Sequence, residues 1–329
     1  MLFFCSLIIG TFISISSYNW MTMWIGLEIN LLSIIPLFKS NMNCYPVEAT
    51  LKYFITQTLA STIILFTVIL SMNLTEFFSN FNYWLMMILN SSLLMKLGAA
   101  PFHFWFPEVM EGINWMNGLL LLTWQKLAPM ILLMYNLNMT LFFCMIIIIS
   151  SIISGIYGIN QTSLRKIFSY SSINHIAWML ASMMNMKNIW LLYFITYSII
   201  SINIIIIFYY FNIYFITQLF LILNKNKMIK ILFIFNFFSL GGLPPFLGFL
   251  PKLLVIYNLT ENKFFVMNFI LIVSTLMTLF YYIRLTMTSL SLNYWESMIY
   301  YSNINFKIIF FNFCSILMLI ICTNIFLNF

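Results

Sequence analysis

Long apolar runs, interrupted only by a Gly, a Pro or a short polar stretch, limit what this chain can fold into. A helix needs about 20 apolar residues to cross the hydrocarbon of a bilayer. Eleven segments qualify, at roughly 2–17, 21–38, 49–71, 82–100, 114–135, 139–158, 164–184, 189–222, 229–258, 264–286 and 307–328. With 63% of its residues hydrophobic and 6% charged, the chain has too little polarity to cover a water-facing surface. The expected fold is an all-α membrane protein of about 11 transmembrane helices, because only helices or closed barrels satisfy the backbone in lipid. The eighth and ninth segments exceed one span, which predicts a tilt, an overhang or a break in each. No polar stretch is long enough for a soluble domain, so residues 1–329 read as a single transmembrane domain.

The charges left over are few enough to place one by one. Fourteen Lys and Arg stand against seven acids, all of them Glu. On one side of the expected membrane lie Lys39, Lys52, Arg165, Lys166, Lys225, Lys227, Lys230, Arg284 and Lys307, and on the other only Lys187 and Lys263. By the positive-inside rule the N-terminus faces the cytoplasm-equivalent side and the C-terminus the opposite one. These cations sit singly in short connections and form no basic face, so no nucleic acid is expected as a partner. Cys5, Cys44, Cys144, Cys314 and Cys322 include no C-x-x-C pair and no companion His at ligand spacing, so no metal site or disulfide framework is expected. The N-terminus shows no basic region or cleavage site, so no removable leader is expected. The abundance of Ile, Phe and Met points to an organelle genome and synthesis beside the target membrane.

Two of the apolar runs are interrupted in the same way. Gly98-x-x-Pro101-Phe102-x4-Pro107 is matched in spacing by Gly242-x-x-Pro245-Phe246-x4-Pro251. The expected helix breaks involve Gly98 and Pro101 in the first copy, and Gly241, Gly242, Pro244, Pro245 and Pro251 in the second. A Pro alone can kink a helix, but paired Gly/Pro-broken segments mark transporters built from repeated halves. Five helices in 1–137 and five in 138–288 form such halves, and the odd number in each inverts one relative to the other. Residues 289–329 hold a connection and the last helix.

A charge at the bilayer centre costs roughly 2.5–3.5 kcal/mol on insertion scales, so every buried one needs a reason. Glu28 lies mid-span, Lys96 precedes the first break, Lys126 lies mid-span and Lys252 follows the second break. Burial disfavours the charged form of a lysine and a nearby glutamate restores it, so a row of such groups can pass protons through small changes in separation. Snorkelling toward a helix end, or pairing for structure alone, would also account for each. His175 shares a predicted helix face with Ser171, Trp178 and Ser182, where an imidazole could relay protons or serve as a hydrogen-bonded core residue. Lys52, four residues after Glu48, reads as an interfacial i,i+4 pair, and His103 as a partner for backbone groups freed by the first break.

At these residues the chain resembles subunit 2 of NADH:ubiquinone oxidoreductase, respiratory complex I, in its mitochondrially encoded, arthropod-like form. The resemblance runs through Trp24-Ile-Gly-Leu-Glu28-Ile-Asn30, Glu48-Ala-Thr-Leu-Lys52, Met95-Lys96-Leu-Gly98-Ala-Ala-Pro101-Phe-His103-Phe-Trp105, Thr123-Trp-Gln-Lys126-Leu-Ala-Pro129, Asn160 to Lys166, Ser171 to His175 and Ser239 to Lys252. It implies an antiporter-like bundle with inverted five-helix repeats, lacking three N-terminal helices that bacterial relatives carry. It also implies a proton path through Glu28, Lys96, Lys126 and Lys252, with His175 at a further polar position. Other membrane-arm subunits and phospholipids are the implied partners, and the mitochondrial inner membrane the location, with the N-terminus on the matrix side and the C-terminus on the intermembrane-space side. NADH, FMN, iron–sulfur clusters and ubiquinone are implied for the complex, and no cofactor for this chain. A free-standing cation/proton antiporter would need several hard oxygen ligands, whereas the chain offers one midplane carboxylate. A purely structural scaffold subunit is the remaining alternative.

Overall fold

The computed structural model describes residues 2–38, 44–74, 81–223, 227–244 and 246–291. The expected span at 307–328 lies outside the described residues, as do Pro245 and the topology signals Lys39, Lys225 and Lys307. All regular elements among the described residues are helices. In order they are α1 (Leu2–Ser16), α2 (Trp20–Phe38), α3 (Cys44–Leu74), α4 (Phe81–Leu97), α5 (Trp105–Gly112), α6 (Trp115–Leu122), α7 (Trp124–Leu133), α8 (Thr140–Ile159), α9 (Leu164–Met183), α10 (Lys187–Phe211), α11 (Ile216–Leu223), α12 (Lys227–Gly241), α13 (Phe249–Glu261) and α14 (Phe265–Ser291). Among the described residues, six stretches are long and apolar enough to cross a membrane: Trp20–Phe38, Tyr45–Met72, Trp115–Asn136, Thr140–Ile159, Lys187–Phe211 and Phe265–Met287. The chain divides into two units, Met1–Ile149 and Ser150–Phe329.

In the first unit α3 packs against α2, α4 and α5, while α4 packs on α7. α1 and α2 approach at two glycines: a Cβ on Gly26 would lie 2.6 Å from Ser14 N and 2.8 Å from Gly10 O. Without a hydrophobic drive between helices in lipid, such close backbone contact is a principal source of association. The expected span 114–135 is interrupted at Thr123, between α6 and α7. Six residues later, inside α7, Pro129 has no N–H and so cannot bond the carbonyl of Gln125.

In the second unit α9 is buried on every side, with Ser171, Asn174, His175, Trp178 and Ser182 all inside. The expected polar stripe therefore has no lipid-facing opposite face. Its serines are also committed locally, Ser171 Oγ donating to Phe168 O at 2.8 Å and Ser182 Oγ to Met179 O at 2.7 Å. The long eighth segment divides into α10 and α11 at Asn212, which adopts a left-handed conformation with φ 52°. Arg284, near the end of α14, donates to Ile159 O at 2.7 Å and Gln161 O at 3.2 Å, joining that end to the α8–α9 connection.

The two breaks, one in each unit, share one backbone design. α4 ends at Leu97 and α12 at Gly241, followed by Gly98 with φ 75° and Gly242 with φ 73°, conformations that only Gly adopts freely. Ala99 N donates to Leu94 O at 3.1 Å, and Leu243 N to Phe238 O at 3.2 Å, the five-residue closure of a Schellman cap. Helix resumes at Trp105 and Phe249, so Pro107 and Pro251 fall at the third position of α5 and α13. A missing N–H in the first turn loses no intrahelical bond.

Candidate functional site

The lysines singled out by their cost are buried as deeply as core leucines: Lys96 is 8% exposed, Lys126 1% and Lys252 6%. Lys96 occupies the last turn of α4, where a cation meets the negative end of the helix dipole. Glu28 on α2 is the acid within coulombic range of Lys96. It is half-buried, and its Oε1 is enclosed without a hydrogen-bond partner among the described residues. Lys126, on α7, stands over the Phe106 ring at 5.6 Å from its centroid, close enough for a cation–π contact.

Around Lys96 lie polar side chains that reading charges alone does not reveal. Asn30, Tyr53, Gln57, Gln125 and Lys96 line one cavity with Pro129, drawing on α2, α3, α4 and α7. Gln125 Nε2 donates to Asn30 Oδ1 at 2.8 Å, Tyr53 Oη donates to Gln125 Oε1 at 3.4 Å, and Gln57 Nε2 donates to Lys96 O at 3.4 Å. Asn30 and Gln125 each sit within two residues of a flagged charge. The insertion cost applied to every mid-span polar group, not only to ions, would have found them.

At the second break Lys252 turns back on the helix before it. Its Nζ donates to Gly241 O at 2.8 Å and Leu240 O at 3.2 Å, two of the carbonyls left open at the end of α12. The stem passes where a side chain on Gly242 would be, since a Cβ there would lie 2.8 Å from Lys252 Cδ. Trp178 of α9 offers its ring to the ammonium at 5.9 Å. One turn earlier, His175 Nδ1 meets Tyr193 Oη at 3.0 Å, and its ring packs on Tyr197 at 4.9 Å between centroids. His175 and Lys252 thus share one unit with Trp178 between them in sequence register.

The first break solves the same problem with other groups. Trp105 Nε1 donates to Met95 O at 3.1 Å, and His103, buried in the turn, hydrogen-bonds the Pro101 backbone. Glu108, the residue after Pro107, points instead to Lys52 at 2.8 Å, and Lys52 also holds Glu48 at 2.7 Å. The expected i,i+4 pair is thus part of a three-residue group tying α5 to α3. Among the described residues no three His, Cys, Asp or Glu side chains gather as a metal site.

Buried cations at matched breaks in a helical membrane chain define a class, that of antiporter-like membrane subunits. The model of the family described as NADH:quinone oxidoreductase/Mrp antiporter, TM, matches residues 17–278, and the chain belongs to this family. It is 51% identical over 333 residues to NADH-ubiquinone oxidoreductase chain 2 of Aedes aegypti, covering 99% of this chain and 97% of that one. It is 48% identical over 326 residues to the same-named chain of Anopheles gambiae, covering 96% and 94%. Among solved structures it shares the fold of a chain in respiratory complex I from Thermus thermophilus with bound aureothin, with a TM-score of 0.87 at 21% identity, over 98% of this chain and 77% of that one.

Proposed function

We propose that this chain is a membrane-arm subunit of respiratory complex I and moves protons across the mitochondrial inner membrane, coupled to electron transfer from NADH to ubiquinone elsewhere in the complex. The carrying observation is the burial of Lys96, Lys126 and Lys252 to less than a tenth exposure. A buried ammonium gains or loses its proton through small changes in what surrounds it. Glu28, Lys96 and Lys126 act in the first unit, and His175 and Lys252 in the second.

In this reading the chain performs no redox step. NADH, FMN, iron–sulfur clusters and ubiquinone belong to the rest of the complex, and neighbouring membrane-arm subunits and phospholipids cover the apolar exterior. The chain crosses the membrane eleven times, with inverted five-helix repeats in 1–137 and 138–288, the last helix in 289–329, the N-terminus in the matrix and the C-terminus in the intermembrane space. The common register of the two breaks supports the repeats, and the bond from Arg284 to the connection preceding Arg165 supports one cationic side in the second unit.

Each proton moved against the membrane potential costs about 2.3 kcal/mol per 100 mV, so a defect in the path lowers the number moved per electron. Lys126→Met, in complex I assembled in inner-membrane particles, should lower the protons translocated per electron pair relative to quinone reduction. An unchanged ratio would remove Lys126 from the path.

A further inference from the structure

Where α9 begins, positive charge is gathered against the usual preference of a helix. Arg165 and Lys166 stand in its first turn, so two cations meet the positive end of the helix dipole. The positive-inside rule puts cations on this side of the membrane, but elsewhere in the connection they would satisfy it without opposing the helix. Arg284 adds a third charge, because its bonds to Ile159 O and Gln161 O hold the guanidinium at the same connection. The one acid between residues 150 and 291 is Glu261. It closes α13 by the opposite end of α9, where Asn185 Nδ2 donates to Asn258 O at 3.5 Å.

The corner around these cations is built from three connected segments. Leu164 N donates to Tyr214 O at 3.0 Å and Ile216 N to Thr162 O at 3.3 Å, which lays the α10–α11 connection along the start of α9. Arg165 rests over the Tyr214 ring at 4.8 Å from its centroid, and such stacking fixes its planar fork of donors. Ser163 is the N-cap residue of α9, a place where serine normally accepts a bond from the first turn. Here its hydroxyl makes no capping bond, although it is only 6% exposed, and its Oγ is enclosed without a hydrogen-bond partner among the described residues. A buried hydroxyl left unmet is costly, so this one points to a group that the described residues do not supply. The apolar stretches Thr140–Ile159, Lys187–Phe211 and Phe265–Met287 all end at this corner. Tyr157, Tyr209 and Tyr210 are exposed near those ends, as aromatic residues are at a membrane–water interface.

We propose that this corner binds a phosphate group, which at this depth an anionic phospholipid headgroup would offer. Arg165 and Lys166 are its charge partners, the start of α9 and Ser163 are its further donors, and Arg284, committed to carbonyls, contributes its field. A phosphate accepts several donors at once and supplies the negative charge that the helix start favours. Basic pockets between helices on the cytoplasm-equivalent side suit lipid headgroups for the same reason. The proposal takes the chain to sit in the assembled complex, as read above, and does not depend on the proton path.

The test is a set of density maps of the assembled complex in nanodiscs. One arm mixes phosphatidylglycerol into phosphatidylcholine at a fraction that half-fills the corner, and the other uses phosphatidylcholine alone with added inorganic phosphate. The wild-type map of the first arm should show a headgroup, with its acyl chains, at Arg165 and Lys166. Arg165→Gln combined with Lys166→Gln should weaken binding roughly thirtyfold and so remove that density. Lys187→Gln, which deletes a cation at the far end of α10, should leave it in place. An isolated phosphate in the second arm, with no lipid in the first, supports the anion site and assigns it to free phosphate. A corner empty in both arms, one filled by a carboxylate of a neighbouring subunit, or headgroup density unchanged by the double variant overturns the proposal. Should the double variant not assemble, the two wild-type maps decide by the same outcomes. Because protons are not counted here, failure of this test leaves the proton path standing, and an unchanged ratio in Lys126→Met leaves the phosphate site standing.

Discussion

Replacing Gly242 by Ala isolates what the second break does for Lys252. Ala must enter a left-handed conformation with φ 73°, which costs an L-residue roughly 1–2 kcal/mol. Gly98→Ala at φ 75° meets the same cost and therefore serves as the control. The two differ in what the new methyl touches. At Gly98 it lies 3.2 Å from Phe106 Cβ, whereas at Gly242 it lies 2.8 Å from Lys252 Cδ and 3.0 Å from Nζ. The lysine must move, and moving it disturbs the bonds to Gly241 O and Leu240 O. Hydrogen bonds to charged groups contribute about 1.5–3 kcal/mol each, so losing one makes Gly242→Ala the more damaging by more than tenfold in equilibrium terms. Thermal dissociation of the assembled complex on native gels would measure the stability difference, and protons per electron pair would show whether Lys252 has been displaced from its role. If the two alanine variants match in both measurements, the claim that Gly242 makes room for Lys252 is wrong.

Gly26→Ala places a methyl against Ser14 N and Gly10 O, backbone atoms that yield only if α1 and α2 separate. Overpacking of this kind costs about 1–3 kcal/mol, and the expected outcome is less assembled complex at steady state. Trp105→Phe keeps an aromatic ring but loses the fused five-membered ring with its donor to Met95 O, and the hydrogen bond alone contributes about 0.5–1.5 kcal/mol. It should lower the dissociation temperature slightly and leave the proton-to-electron ratio unchanged, because Trp105 is a structural partner of the first break.

The breaks were legible in the sequence because Gly and Pro act on the backbone locally, and a spacing shared by 98–107 and 242–251 carries over directly into matched helix ends. The buried lysines were legible because ions are expensive in lipid. The carboxamides around Lys96 were not, since Asn30 and Gln125 lie 95 positions apart and become partners only through helix packing. The role of Lys252 was hidden for a related reason: that its ammonium bonds α12 carbonyls depends on the path the chain takes through the break, which spacing cannot give. The stripe through His175 had the right residues and the wrong contrast, because α9 is enclosed on all sides and one face cannot be told from another.

Glu108 and Lys252 occupy the same place in the two breaks, each directly after the Pro of its half-helix. A carboxylate has no proton to give to an open carbonyl, so Glu108 is held by a neighbouring helix through Lys52, while Lys252 is held by the helix it has just left. One scaffold thus yields a self-contained break and an outward-linked one, differing at this point in the sign of a single side chain. The same backbone turn thus supports two mechanically different breaks, and the sign of the residue after the Pro decides which neighbour holds each one.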